Sequence, residues 1–191
     1  MDIKKLSQLI RDRRAMPPRF FNKNKVGAEL IEQILENANW APNHKKSEPW
    51  RFIIFRGESK SKLAQHILDN HIKDYKAGVS VNPEKAEKFK ANADKSDAII
   101  TIIMERDTSG RLPEWEDIAA VSCAVQNMWL SATAMGLSAF WSTPAFIETL
   151  GDYLGLSPNQ RCLGFLHLGY SDIDLPSPGR GSVEEKTKWM D

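Results

Sequence analysis

The stretch Ile118–Met135, IAAVSCAVQNMWLSATAM, carries no charged residue over 18 positions. That length spans a bilayer if the run is apolar throughout. Here Ser122, Gln126, Asn127, Ser131 and Thr133 interrupt it, and each would need a partner in hydrocarbon. The run therefore reads as a buried helix. Started near Trp115, it would be roughly 30 Å long at about 1.5 Å per residue. Its apolar residues go most of the way round, as in the central helix of a globular fold. Gly136 is suited to close it.

The segments around it alternate in kind. Leu6, Leu9 and Ile10 recur at helical spacing, which predicts a first helix ending near Arg14. Leu30, Ile31, Ile34, Leu35 and Ala38 predict a second, stopped by Pro42. WRFIIFRG, from Trp50, reads as a strand. Ser59–Lys76 predicts a third helix with Leu63, Ile67 and Tyr75 near one face. Asn82 and Pro83 predict the N-cap and first position of a fourth. DAIITIIMER, from Asp97, is nearly continuous in apolar residues and predicts a strand buried on both faces. After the long helix, LSAFWS and RCLGFLHLGY read as strands around a helix in AFIETLGDYLGL. Beyond Tyr170 the chain turns rich in Pro, Ser and Gly, so residues 171–191 read as an extended arm on a domain spanning 1–170, with a last helical turn in VEEKTKWMD. The order lacks the regular alternation of a doubly wound fold. It predicts an α+β architecture: a mixed, mainly antiparallel sheet flanked by helices, with a long buried helix at its centre.

Composition narrows the function. With 26 Lys plus Arg against 25 Asp plus Glu, no electrostatic case for nucleic acid exists. Cys123 and Cys162 form no CxxC pair and no zinc spacing, so they read as buried free thiols in a reducing cytoplasm. The N-terminus, MDIKKLSQLI, has no apolar leader core. No GxGxxG, Walker loop or G-x-S-x-G elbow is present. His66 and His71 are five apart, poor spacing for joint metal ligation, and His167 reads as a core histidine within a strand. No metal site and no acid–base pair is expected.

Four loops retain chemistry. RDRRAMPP clusters Arg11, Arg13 and Arg14 at a helix end, where cations either favour the helix dipole or grip a phosphate. NWAPNHKKSEPW, Asn39–Trp50, is either a stiff linker or a ligand-facing loop. FWSTP, Phe140–Pro144, either caps a turn or sets hydroxyls beside a flat ligand. Arg180 lies in the arm, where an isolated arginine is usually solvated.

In this order the motifs resemble the nitroreductase family of flavoenzymes. Arg13-Arg14-Ala15 matches its early arginine motif, and APNHKKSEPW its AP…PW loop. AAVSCAVQNMWLSATAMGL matches its central helix, and FWSTP, GFLHLGY and the Pro-rich tail with Arg180 and Trp189 follow. The resemblance covers nearly the whole chain, and the loop is similar to that of a compact NAD(P)H nitroreductase branch. It implies a homodimer with FMN at its interface and NAD(P)H as electron donor. Arg13, Arg14 and Arg180 would hold the phosphate end, and Pro42 and His44, with Trp40 nearby, would touch the partner's flavin. Trp141, Ser142 and Thr143 would line the other side. Ser131, Ala132, Thr133, Ala134, Met135 and Gly136 would border a nicotinamide site. The implied activity is ping-pong reduction of nitroaromatics, quinones or related small electrophiles. Reductive dehalogenation, with residues 57–96 as the only candidate lid, and non-catalytic flavin binding are the alternatives. The chain departs from the family pattern in Ala15 where Ser is usual, Glu48 where Gln is usual, and Ser142 where relatives can carry Arg.

Overall fold

A computed structural model describes residues 2–76 and 82–190; the side chain of Tyr75, and with it that residue's expected place on the third helix, lies outside the described residues. The helices are α1 (Ile3–Asp12), α2 (Ala28–Asn39), α3 (Gly57–Lys76), α4 (Pro83–Lys95), α5 (Glu114–Ala134) and the single turn α6 (Gly151–Leu154). The strands are β1 (Trp50–Arg56), β2 (Ala98–Glu105), β3 (Ser138–Ser142) and β4 (Gln160–Gly169). They form one sheet in the order β1-β2-β4-β3, and every pairing is antiparallel.

β2 divides the core. Ala98, Ile100, Ile102 and Met104 pack with Leu166 and Leu168 of β4 against α2 and α5. Ile99 of β2 faces the other way and joins Phe165 and Cys162 with Leu63, Ile67, Ala86 and Phe89 of α3 and α4. A strand with helices on both sides has no wet face, which is why its sequence is a continuous apolar run. α5 buries Val121, Ala124, Val125, Met128 and Ala132, as its lack of charge predicts. None of the described helices is long and apolar enough to cross a membrane. Within the 57–96 stretch expected as a candidate lid, α3 and α4 pack as a core layer on the sheet.

Local differences from the sequence reading have local causes. α1 stops at Asp12 because Met16-Pro17-Pro18 draws the chain into extended geometry. AFIETLGDYLGL splits into a 3-10 turn, Ala145–Thr149, and α6, which ends on Gly155 at φ 65°. The final turn is 3-10, Glu184–Lys186. Asn82 caps α4 as expected, accepting from the backbone N–H of Glu84 at 2.9 Å. Cys162 is buried, which pushes its thiol up to about 11, and Cys123 is half-buried; neither forms a disulfide.

A bulge and a buried histidine fix how β3 sits on β4. The register slips between Ile102, opposite Gly164, and Ile103, opposite Cys162, leaving Leu163 as the extra residue. Gly164 adopts φ 130°, and a Cβ there would lie 2.5 Å from the Ser142 carbonyl oxygen and 2.8 Å from Trp141 Nε1. Three residues on, His167 is fully buried between two hydroxyls, with Nδ1 2.9 Å from Ser96 Oγ and Nε2 3.1 Å from Ser142 Oγ. Ser96 Oγ donates its proton to the Asn92 carbonyl at 2.7 Å. It must therefore accept from Nδ1–H, which leaves Nε2 to accept from Ser142. Burial, aided by the charge of Lys60, pushes the imidazole down to about 3.

Two outcomes follow from this junction. Gly164→Ala should lower unfolding free energy by roughly 2 kcal/mol or more, since the side chain meets backbone at a disfavoured φ; urea unfolding checks it. The folded His167 titrates below its unfolded value of 6.5, so the unfolded chain binds the extra proton. Its contribution is complete above pH 6.5 and falls away as pH drops towards about 3, by on the order of 3 kcal/mol at pH 4. His167→Gln should flatten that slope in urea melts run between pH 7 and 4.

Candidate active site

The arginine turn follows directly from where α1 ends. Met16 N–H donates to the Ala139 carbonyl of edge strand β3 at 3.0 Å. Trp129 Nε1, on α5, donates to the Arg14 carbonyl at 2.9 Å. These two bonds pin the turn to the sheet and to the central helix. The Arg13 guanidinium carbon lies 4.6 Å from the centre of the Trp129 ring, a cation–π contact. Arg14 Nε reaches the Leu175 carbonyl at 3.4 Å, tying down the arm.

The arm returns Arg180 to the same place. Arg13, Arg14, Ala15, Gln126, Trp129 and Arg180 all line one cavity of about 680 Å³. Among the described residues no carboxylate lies within ion-pair distance of Arg13, Arg14 or Arg180. Burial lowers the affinity of Arg13 for its proton, and repulsion from Arg180 and Arg14 lowers it further. Three guanidiniums crowded without counter-charge make a site for a multiply charged anion. A phosphomonoester fits this charge. Ala15 on the wall offers no hydroxyl.

Other expected site residues lie elsewhere. Trp40, Ser131, Ala134 and Met135 line a separate hollow of about 400 Å³, where Asn37 Nδ2 donates to Ser131 Oγ at 2.8 Å. Ala132 is buried in the core, and Thr133 Oγ1 donates back to the Trp129 carbonyl at 2.9 Å. Gly136, at φ 73°, is exposed just past α5.

Pro42 and His44 are exposed on the Ala41–Pro49 loop, and neither lines the arginine cavity of its own chain. That loop is held in an unusual shape. Lys45, Lys46 and Glu48 have φ of 52°, 55° and 40°, each left-handed. Ser47 N–H donates to the His44 carbonyl at 3.1 Å, Glu48 N–H to Asn43 Oδ1 at 3.3 Å, and Trp50 Nε1 to Asn39 Oδ1 at 3.0 Å. His44 Nδ1 lies 2.6 Å from Glu116 Oε2, at the start of α5. Glu48 lines a different hollow with Arg51. Trp40 is 78% exposed.

At the end of β3, neighbouring side chains part company. Trp141 packs against the α5-side core, and among the described residues its buried indole nitrogen has no partner. The Ser142 hydroxyl sits on the opposite sheet face, committed to His167, because alternate residues of a strand face opposite ways. Of the FWSTP pair of hydroxyls, Thr143 is exposed and Ser142 is turned away from the arginine side.

Gln126 and Trp129 were absent from the expected ligands although their spacing of three puts them on one helix face. Glu116 gave no signal, since its pairing with His44 joins residues 72 apart. Among the described residues no cluster of three metal-ligating side chains occurs.

Comparison with known proteins gives this geometry its context. The chain is 28% identical over 169 residues to the "Putative NAD(P)H nitroreductase YfhC" of Bacillus subtilis, covering 87% of this chain and 84% of that protein. It is 25% identical over 158 residues to YdjA of Escherichia coli, which carries the same description, covering 78% and 84%. The fold superposes on a nitroreductase-like protein of Bacillus cereus with a TM-score of 0.79 at 27% identity, over 97% of this chain and 96% of that one. It also superposes on a Desulfovibrio desulfuricans protein crystallised in complex with FMN, with a TM-score of 0.73 at 25% identity, over 97% of each chain. The model of the family described as "Nitroreductase family" matches residues 10–170, most of the chain, and the chain belongs to that family.

Proposed function

We propose that this protein is an FMN-dependent NAD(P)H oxidoreductase that works as a homodimer and reduces nitroaromatics, quinones or related small electrophiles by ping-pong turnover. The observation that carries the reading is the uncompensated set Arg13, Arg14 and Arg180 around one cavity. FMN, when bound, supplies two-electron hydride chemistry between a nicotinamide and an acceptor, so the protein needs no acid–base pair of its own.

The chain's residues bind and orient. The three guanidiniums hold the phosphate end by charge-assisted hydrogen bonds. Trp129 keeps Arg13 in place through its ring and fixes the turn through its N–H. Trp40, Ser131, Ala134 and Met135, which share one hollow, would border the approach of the nicotinamide.

Exposed apolar surface supports the dimer. α1 buries none of its residues although Leu6, Leu9 and Ile10 recur on it. Trp40 stands out at 78% exposure and Trp189, at the end of the arm, at 86%. These exposed apolar side chains are ones that a partner surface would cover. The exposed loop bearing Pro42 and His44 is the segment offered to the flavin of a second copy. A lid over residues 57–96, which dehalogenation on this scaffold would use, is disfavoured because α3 and α4 are a core layer. Two free cysteines fit a reducing compartment such as the cytoplasm.

The purified protein should be yellow or take up added FMN, and should run at twice the 21.6 kDa of one chain. Arg13→Ala or Arg180→Ala should weaken FMN binding by about ten-fold or more, each removing one charge-assisted contact of ~1.5–3 kcal/mol, as read by flavin fluorescence. Anaerobic NADH or NADPH should bleach the flavin, and steady-state plots with a nitroaromatic should give parallel lines. A colourless monomer that ignores FMN overturns the assignment; a flavoprotein that neither nicotinamide bleaches leaves flavin binding and removes catalysis.

A further inference from the structure

A second cationic hollow is built at the junction of α4 and β2 and belongs to no part of the flavin reading. It has a volume of about 460 Å³ and lies between the Phe21–Lys25 segment, Lys60 of α3 and residues Asp94–Asp97. Lys60 is its core. The residue is only 9% exposed, yet among the described residues no carboxylate lies within ion-pair distance of it. Its Nζ donates one bond, to the Ser96 carbonyl at 2.5 Å. That bond caps the negative end of α4 and uses one of three ammonium protons.

The acids on the wall are already engaged. Asp97 accepts from Lys25 at 3.0 Å, from Arg56 at 3.2 Å and from the Val26 N–H at 2.9 Å. Burial works against ionisation of its carboxyl, and those three partners outweigh it. Asp94 accepts from Lys90 at 3.1 Å. Beyond the Lys25–Asp97 and Lys90–Asp94 pairs the lining holds Lys23, Lys60 and Lys95, with the Asp94 and Asp97 charges partly offsetting the effect of burial on Lys60. Unpaired lysine charge in a concave, half-buried space is stabilised by an anion.

We infer that this hollow binds a compact phosphate, free or as a monoester, through Lys60 with Lys23 and Lys95 around it. Separate ammonium groups act as point charges approaching from several directions, which suits a tetrahedral oxyanion better than the planar fork that arginine reads. The site needs neither flavin nor a second chain.

The test is a titration of the full chain, as purified, with inorganic phosphate in one arm and glycerol 3-phosphate in another. Backbone amide NMR shifts are read at constant ionic strength held with chloride. The amides of Lys23–Lys25, Lys60 and Ser96 should shift and saturate in at least one arm, and the tighter arm tells free phosphate from monoester. Lys60→Met should weaken this ten-fold or more. The exposed double variant Lys23→Ser/Lys95→Ser, which leaves the core untouched, should weaken it several-fold. Shifts at Arg13–Ala15 report the arginine cavity separately and should persist in both variants. Shifts confined to the arginine cavity, shifts that chloride reproduces, or saturation unaffected by both variants would overturn the inference.

Discussion

The fold depends on β2 having no face left for water. Once Ala98–Glu105 is covered by α2 and α5 on one side and by α3 and α4 on the other, the remaining strands can only add laterally. The site inherits its rigidity from that arrangement. α5 is clamped on the sheet, so Trp129 is a fixed point, and the arginine turn hangs from Trp129 and from the edge of β3. Loss of packing beneath α5 would be felt as misplaced guanidiniums before any ligand contact was touched.

Electrostatics and mechanics oppose each other at the turn. Arg13, Arg14 and Arg180 repel one another, and their proximity costs stability in the free protein. An anion bound there would relieve the repulsion, and binding and folding would then reinforce each other by mass action. An anion in the hollow around Lys60 would act in the same way on the lysine charge that Asp94 and Asp97 leave uncompensated. The two cationic sites sit against opposite layers: one against α5, the other against the joint of α4 and β2.

Much of this was legible in the residues because one signal dominated each element. The unbroken apolar run of β2, the chargeless span of α5 and the Asn82-Pro83 start of α4 left little competition. Legibility failed where several short-range choices were close in energy. AFIETLGDYLGL has helical spacing, but Gly151 and Gly155 break it into a 3-10 turn and one α turn. In the site, the arginines were visible as a cluster, but their meeting with Arg180 depends on the path of an arm with no regular structure. The side of the sheet taken by Ser142 follows from the pleat: its pairing opposite Phe165, beside Phe140 opposite His167, sends its hydroxyl away from Trp141. The sequence resemblance groups Trp141, Ser142 and Thr143 as one wall, whereas strand alternation turns the Ser142 hydroxyl to the other face while Trp141 and Thr143 both approach Gly164.

The loop at Lys45, Lys46 and Glu48 holds three non-glycine residues in the left-handed region, each at a cost of about 1 kcal/mol or more. That cost is met by a handful of bonds at a solvent-facing loop, whereas the layers beneath are closed by apolar burial. Among the described residues this segment is therefore a weakly held corner, which can let go while the sheet and its helices hold. Heating would relax this single corner at temperatures where circular dichroism still records an intact body.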